Sequence, residues 1–204
     1  RAEDIALINL VSPGAEFSSS ANILGLLEIK GYILKNRDGC KTHIMDMHNI
    51  DIDSVVKRLA AMRPKIIGFS ARIGTLPALD ELLRRIFSST DFDYKPIVVI
   101  GNVLATCGEE MLLARYKDYP IICAIGEGEE VIAGLIDVTR GEKRLEDVPN
   151  IHFIQNGKAI ITQRFITDLT KLNVPASDET LRILEQAGSV DVESSRGCKG
   201  HCTF

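Results

Sequence analysis

The sequence predicts an α/β protein built on a doubly wound, five-stranded parallel sheet. Short runs of β-branched and aliphatic residues alternate five times with helix-length stretches, each pair separated by a Gly, Pro or Ser break. The apolar runs are nearly continuous and do not alternate with polar residues, which is typical of strands covered on both faces. Right-handed crossovers then place helices on both sides of the sheet.

The individual elements follow this alternation in order. The predicted strands are residues 4–10, 41–47, 65–71, 96–101 and 121–126. The predicted helices are residues 19–36, 51–63, 76–89, 107–117 and 128–141. Ser or Asn can cap the first helix, and Pro64 ends the second. We expect the flavodoxin-like strand order 2-1-3-4-5, with a ligand bound beyond the carboxyl ends of the strands.

The pattern changes after about residue 145. The segment "IHFIQNGKAIITQ" (151–163) has Asn156 and Gly157 between two apolar runs, which predicts a two-residue hairpin. A linker with one short helix follows, and a new strand and loop begin near residue 191. The sequence therefore predicts a ligand-binding domain (1–145), a hairpin and linker (146–190), and the start of a further domain (191–204).

Composition excludes several classes of partner. The chain has 204 residues, of which 45% are hydrophobic and 25% charged, and its formal net charge is −4. A negative chain does not favour phosphate-backbone binding, so no nucleic-acid partner is expected. The sequence has no apolar run near the roughly 20 residues of a membrane span, so no membrane partner is expected. It has no signal-peptide pattern, so we expect a cytoplasmic protein. We also expect a monomer. Its five cysteines are then expected to be thiols, ligands or catalytic groups.

Two of these cysteines stand four residues apart in "SRGCKGHCTF". Thiolates of Cys198 and Cys202 could converge on one metal centre, but two ligands do not complete a zinc site or an iron–sulfur cluster. The segment resembles the opening of the radical S-adenosylmethionine signature C-x3-C-x2-C, whose third cysteine would follow Phe204. The resemblance implies a 4Fe–4S cluster with one iron position open to S-adenosylmethionine, and a chain cut just before the third ligand. The alternative is that both are unrelated loop thiols.

An α/β domain in front of such a signature resembles the cobalamin-binding domain of cobalamin-dependent radical S-adenosylmethionine enzymes. The resemblance covers nearly the whole chain and is carried by three strand ends, "GFSAR", "VVIGN" and "AIGEGEE". The 28 residues between "SAR" and Gly101 are similar to the Ser-x-Leu to Gly-Gly spacing of domains that bury the nucleotide tail of cobalamin. Arg72 replaces the Leu of that pattern, and Asn102 replaces its second Gly.

The strand-end residues also have physical roles of their own. The Ser70 hydroxyl can hydrogen-bond a bulky group, and Gly101 permits close backbone approach. Gly126 and Gly128 begin a helix whose free amides suit polar ligand groups, although "GEGEE" could equally be a helix start with acids favoured by the dipole. With the resemblance, the predicted cofactor-binding residues are Pro13, Ser70, Ala71, Arg72, Gly74, Gly101, Asn102, Gly126, Glu127, Gly128 and Glu129.

The loop after the first strand, "VSPGAEFSSSANILG", contains no histidine. Many cobalamin domains ligate cobalt from Asp-x-His-x-x-Gly in this loop, so the resemblance implies base-off cobalamin without a histidine ligand. His43 and His48 are interpreted as ordinary histidines. Arg72 is the candidate catalytic residue, because a guanidinium near the lower face cannot coordinate and would favour four-coordinate cobalt. The alternative is that Arg72 pairs with a carboxylate or with the phosphate of the cofactor.

The resemblance implies a methyltransferase that moves a methyl group from S-adenosylmethionine, through methylcobalamin, to an unactivated carbon. Its small-molecule or peptide substrate would bind a barrel beyond this chain, so the chain alone is expected to be inactive. A cobalamin-dependent cyclase or rearrangement enzyme and a non-catalytic nucleotide-binding module remain alternatives. "SPGAEF" does not supply the G-x-G-x-x-G of a dinucleotide site. A methylthiotransferase is disfavoured, because no cysteine precedes Cys40.

Overall fold

The computed structural model describes residues 3–12, 23–88, 90, 92–166, 168, 180–182, 184–185 and 196. The strands are β1 Glu3–Asn9, β2 Cys40–Asp46, β3 Ile66–Ser70, β4 Ile97–Gly101, β5 Ile121–Ala124, β6 Ile151–Gln155 and β7 Lys158–Ile161. The helices are α1 Leu24–Asn36, α2 Ile52–Met62, α3 Leu76–Ser88, α4 Asn102–Arg115 and α5 Gly128–Thr139. Two short 3₁₀ turns, Ile73–Thr75 and Leu145–Asp147, precede α3 and β6.

These strands form one seven-stranded sheet in the order β2-β1-β3-β4-β5-β6-β7. The first five are parallel, which confirms the predicted doubly wound sheet and its 2-1-3-4-5 order. The predicted hairpin extends the same sheet, because β6 pairs antiparallel with β5 and β7 with β6. Its turn residues Asn156 and Gly157 have φ of 52° and 74°, as an Asn-Gly hairpin turn requires.

Two apolar cores lie on the two faces of the sheet. One packs α2, α3 and α4 against side chains such as Ile8, Ile67 and Phe69. The other packs α1 and α5 against Leu7 and Val99. Because successive side chains of a strand point to opposite faces, the two cores use alternate positions of the same strands. No helix within the described residues is both long and apolar enough to cross a membrane.

Helix α4 begins earlier than the sequence predicts, at Asn102 instead of residue 107. Its first turn has no helical periodicity, but Leu104 is 3% and Ala105 0% exposed in the core. The Leu104 amide also donates to the carbonyl of Ala71, 3.2 Å away. Gly108 interrupts the helical dihedral angles with φ −141°. Packing on the sheet therefore extends the helix back to the end of β4.

The short helix predicted within the linker is described at residues 180–182 and 184–185, which are helical. The division of the chain into domains at residues 145 and 190 stays a prediction. The assignments to Pro13, Cys198 and Cys202 lie outside the described residues.

Candidate cofactor-binding site

A cavity of about 470 Å³ opens at the carboxyl edge of the sheet, between the sheet and the first turns of α1 and α5. Strand ends supply Leu7, Gly68, Phe69, Ser70, Val99, Gly101 and Ala124. Helices and loops supply Leu24, Gly25, Leu26, Glu28, Ile29, Asn102, Gly126, Glu127, Gly128, Glu129, Ile132 and Arg196. The predicted position of the ligand site, beyond the carboxyl ends of the strands, coincides with this cavity.

Two glycines line the floor of the cavity. A methyl group on Gly101 would lie 3.9 Å from Ala124 Cβ and 3.9 Å from the Phe69 carbonyl, which are ordinary contacts. A methyl group on Gly68 would approach Leu7 Cδ2 to 2.9 Å, so Gly68 leaves room for that side chain. Gly101 leaves the cavity wider at the end of β4 than a residue with a side chain would.

Ser70 and Asn102 are brought together beside Gly101. Ser70 pairs with Asn9 on one side and Gly101 on the other in the sheet register. The Asn102 amide donates to Ser70 Oγ at 2.9 Å. Asn102 has a φ of 69°, a left-handed conformation that Gly adopts freely and Asn tolerates better than most residues. This conformation explains how Asn can stand where the resembling pattern has a second Gly.

Asn102→Gly is expected to preserve both the fold and the cavity. Gly removes the left-handed strain but loses the hydrogen bond to Ser70, so the free energy of unfolding should change by less than about 1 kcal/mol. Asn102→Val should instead lower it by about 1–3 kcal/mol, because a β-branched residue resists positive φ. Urea denaturation of the two variants checks this, and equal values would contradict the assigned backbone conformation.

Gly126 and Gly128 differ in what they do. Gly126 has a φ of 78° and open space around the position of a Cβ, so its role is to turn the chain from β5 into α5. A methyl group on Gly128 would lie 2.7 Å from Ile29 Cδ1, so Gly128 also lets α1 and α5 approach each other. The same two helices are also joined near their other ends, where Arg37 at the end of α1 donates Nε–H and Nη2–H to the Asp137 carboxylate of α5 at 2.8 and 2.9 Å.

Glu127 and Glu129 meet Arg196 at the mouth of the cavity. The guanidinium of Arg196 pairs with Glu129 at 2.8 Å and also with Glu127 and Glu28. The Glu129 side chain is only 3% exposed. In this structure both predicted cofactor-binding carboxylates are therefore directed at a cation of the chain's own.

Arg72 lies at the same edge of the sheet but outside the lining of the cavity. Its Nη2 donates to Asn9 Oδ1 at 3.3 Å, and the Asn9 amide donates to Asp46 Oδ1 at 2.9 Å. Asp46 Oδ1 also lies 3.0 Å from Nδ1 of His48, whose side chain is 7% exposed. This chain of contacts fixes Arg72 to the ends of β1 and β2, and it gives His48 a buried structural partner.

The structure does not bring every predicted residue into the cavity. Ala71 is fully buried in the core below α4, and its amide donates to the Gly101 carbonyl. Gly74 lies in the turn before α3, where a Cβ would lie 2.5 Å from Ser12 Oγ. The assignment of Ala71, Arg72 and Gly74 as cofactor contacts stays a prediction.

Comparisons with known proteins agree on one group. A protein of Priestia megaterium named 4'-phospho-dehydrooxetanocin synthase is 27% identical over 176 residues, which are 84% of this chain and 23% of that protein. The solved structure of the cobalamin-dependent S-adenosylmethionine radical enzyme OxsB, with aqua-cobalamin and S-adenosylmethionine bound, matches with a TM-score of 0.85 and 25% identity. This match covers 99% of the present chain and 28% of the OxsB chain. The resemblance to cobalamin-dependent radical S-adenosylmethionine enzymes is confirmed.

A more distant likeness shows the fold alone. The radical S-adenosylmethionine methyltransferase TsrM of Kitasatospora setae, solved with cobalamin and a [4Fe-4S] cluster, has a TM-score of 0.59 and 15% identity over 86% of this chain and 31% of that one. No family model matches the sequence. The chain spans about a quarter of the length of the 4'-phospho-dehydrooxetanocin synthase and of the OxsB chain.

The described residues fit the cofactor of these radical enzymes in composition. The lining combines apolar side chains with the hydroxyl of Ser70, the amide of Asn102 and a group of charged side chains, Glu28, Glu127, Glu129 and Arg196. No histidine is among the described residues that line it. Within the described ranges no group of three or more His, Cys, Asp or Glu side chains could hold a metal ion. Burial raises the pKa of the Cys123 thiol to about 12, which suits a core residue and not a ligand.

Several residues of the site escaped the sequence interpretation. Gly68 lies inside the third strand, and a glycine in a strand interior is a signal of close approach that could have found it. The apolar patterns of the strands and of α5 predict ordinary core residues at three further lining positions, Leu7, Val99 and Ile132. Asn9 stands within the apolar run 5–11, and its full burial is not indicated by the sequence pattern.

Proposed function

We propose that this chain binds cobalamin and that the cavity between α1, α5 and the sheet holds the nucleotide tail of the cofactor. The observation that carries the proposal is the cavity at the carboxyl edge of the sheet, which has Gly101 in its lining. A volume of about 470 Å³ falls in the range of small-molecule sites. The resemblance to radical enzymes with bound cobalamin supports the identity of the ligand.

The residues that would hold the cofactor have separate tasks. Leu7, Val99 and Ile132 supply an apolar wall for the flat base of the tail. Ser70, held by Asn102, supplies a fixed hydroxyl at the edge. Gly101 admits the tail. Bound cobalamin would supply a cobalt centre able to carry a methyl group, while the protein positions the cofactor and controls its ligation.

Arg72 is proposed to lie near the lower face of the corrin, in base-off cobalamin without a histidine ligand. The hydrogen bond to Asn9 would keep the guanidinium at the carboxyl edge. A guanidinium has donors but no acceptor, so it would leave the cobalt without a protein ligand on that side.

The whole enzyme is proposed to use S-adenosylmethionine and a 4Fe–4S cluster, with Cys198 and Cys202 among the cluster ligands. For its reaction we propose methyl transfer to an unactivated carbon of a small-molecule or peptide substrate. The second candidate is a cyclase or rearrangement enzyme, which is favoured by the higher identity to a relative named as a synthase. In a chain that includes the radical domain, methyl transfer must release S-adenosylhomocysteine together with a methylated product. The second candidate yields no methylated product.

The proposed tail cavity is tested by comparing cobalamin with cobinamide, which has the corrin but lacks the nucleotide tail. If the tail is buried in the cavity, cobalamin should bind at least about a hundredfold more tightly, because a buried aromatic base contributes about 3 kcal/mol. Equal affinities, measured by absorbance titration in the absence of oxygen, would contradict the proposal.

Arg72→His is expected to change the visible spectrum of bound cobalamin. An imidazole placed below the corrin can coordinate cobalt, whereas the guanidinium cannot, so the spectrum should shift from base-off to histidine-ligated. Arg164→His, at an exposed position beyond β7, should leave the spectrum unchanged. Retention of the cofactor by Arg72→His with an unaltered spectrum would place Arg72 away from the cobalt.

A further inference from the structure

Three carboxylates at the mouth of the cavity form a carboxylate socket, Glu28, Glu127 and Glu129, around the guanidinium of Arg196. Glu28 lies on α1, and the other two lie at the first turn of α5. Arg196 is 168 residues from Glu28 in the sequence. The socket therefore joins the two helices that flank the cavity to a distant part of the chain.

All three carboxylates of the socket are directed at Arg196. Glu127 is the N-cap residue of α5, yet its side chain makes no capping hydrogen bond. The side chains of Glu28 and Glu129 are 10% and 3% exposed. Glutamates are almost never buried at this level unless they are paired, because desolvation penalises the charged form. Arg196 supplies an opposite charge to both of these carboxylates.

Arginine suits this position better than lysine. A planar guanidinium can reach several carboxylates through separate N–H groups: in this structure Nη1 faces Glu127, while Nη2 faces Glu28 and Glu129. The Arg196 side chain is 15% exposed, so most of the guanidinium is withdrawn from water. Removing only one partner of a buried ion pair is strongly destabilising, because it leaves the other charge buried without compensation.

We propose that the carboxylate socket is a docking site that holds the segment around Arg196 against the mouth of the cavity. Arg196 precedes Cys198 by two residues, so the docked arginine fixes where the cysteine-bearing segment leaves the α/β domain. The socket is then an interdomain contact, and its occupant is the start of the following domain. That it places this segment beside a cofactor rests on the proposed function; the docking itself does not.

Trypsin provides a direct test, because it must take an arginine side chain into its own pocket before cutting. In the unaltered chain, cutting after Arg196 should be at least about tenfold slower than cutting after the exposed Arg164. The double variant Glu28→Gln with Glu129→Gln should raise the ratio of cutting at Arg196 to cutting at Arg164 by about tenfold or more. Arg196→Lys keeps a side chain after which trypsin cuts but lacks the planar guanidinium. Its ratio should lie between those of the unaltered chain and the double variant.

Glu130→Gln is the matched control, since it removes a carboxylate from the same turn of α5 at a position outside the socket, and its ratio should equal that of the unaltered chain. Fragments are quantified by mass spectrometry at early times, and thermal unfolding verifies that each variant is folded. Equal cutting at Arg196 and Arg164 in the unaltered chain, or an unchanged ratio in a folded double variant, would overturn the proposal. No cobalamin is present, so failure of the proposed function would leave these results unaffected.

Discussion

Gly101→Leu is expected to weaken cobalamin binding by up to about a hundredfold while leaving the affinity for cobinamide unchanged. The leucine side chain would extend into the space proposed for the nucleotide tail, and overfilling such a space costs about 1–3 kcal/mol. Gly101→Ala should fold normally, because its methyl group meets only ordinary contacts at 3.9 Å within the protein. It should weaken cobalamin binding less than Gly101→Leu does, by about tenfold or less, because a methyl group takes up less of the cavity. Absorbance titrations with both corrinoids measure the effect.

A matched glycine substitution separates this effect from a general loss of stability. Gly108 lies on α4 outside the lining of the cavity, and a methyl group there would lie 3.7 Å from Met111 Cε. Gly108→Ala should therefore bind cobalamin as the unaltered chain does. If Gly101→Leu is folded and loses affinity for cobinamide to the same extent as for cobalamin, the space above Gly101 is not the tail site.

Asn9→Leu is expected to lower the free energy of unfolding by about 2–3 kcal/mol. Asn9 is 0% exposed, and its side chain accepts from Arg72 and donates to Asp46. Leucine has a similar volume but neither polar atom, so the half-buried Asp46 carboxylate loses a donor and the Arg72 guanidinium loses an acceptor. For a chain of this size the melting temperature should fall by about 4–12 °C.

The same substitution at an exposed asparagine supplies the control. Asn36 ends α1, and its amide makes an exposed hydrogen bond to the Tyr32 carbonyl. Asn36→Leu should change the free energy of unfolding by less than about 0.5 kcal/mol. Urea denaturation curves measure both variants. An equally small effect at Asn9 would show that the contacts linking β1, β2 and Arg72 contribute little to the fold.

The fold was predictable because its strongest signals are local. Continuous apolar runs identify β1, β3, β4 and β5, and the Asn156-Gly157 pair identifies the hairpin turn. The edge strand β2 is more polar and follows from its place in the alternation of strands and helices. The sequence did not predict that the hairpin joins the same sheet. The pairing of β5 with β6 depends on tertiary packing, which no local sequence pattern specifies. The early start of α4 follows likewise from burial of Leu104 and Ala105.

The site was predictable in position but not in its detailed contacts. The carboxyl edge follows from the topology, and the glycines and Ser70 follow from the strand ends. The sequence interpretation assigned Glu127 and Glu129 to a cofactor, and the structure directs them to Arg196. Ion pairs between residues this far apart in the sequence produce no periodicity or compositional pattern from which they could be predicted. The left-handed conformation of Asn102 is also invisible locally, although it removes one departure from the resembling pattern.

Cobalamin binding can be measured by retention of the cofactor. The anaerobic chain is mixed with hydroxocobalamin at tens of micromolar and desalted, and its protein and corrinoid contents are determined by absorbance. We expect about one cobalamin retained per chain, with a base-off spectrum. A folded chain that retains none under these conditions would refute the proposed cobalamin site, and the cavity of the α/β domain would need another ligand.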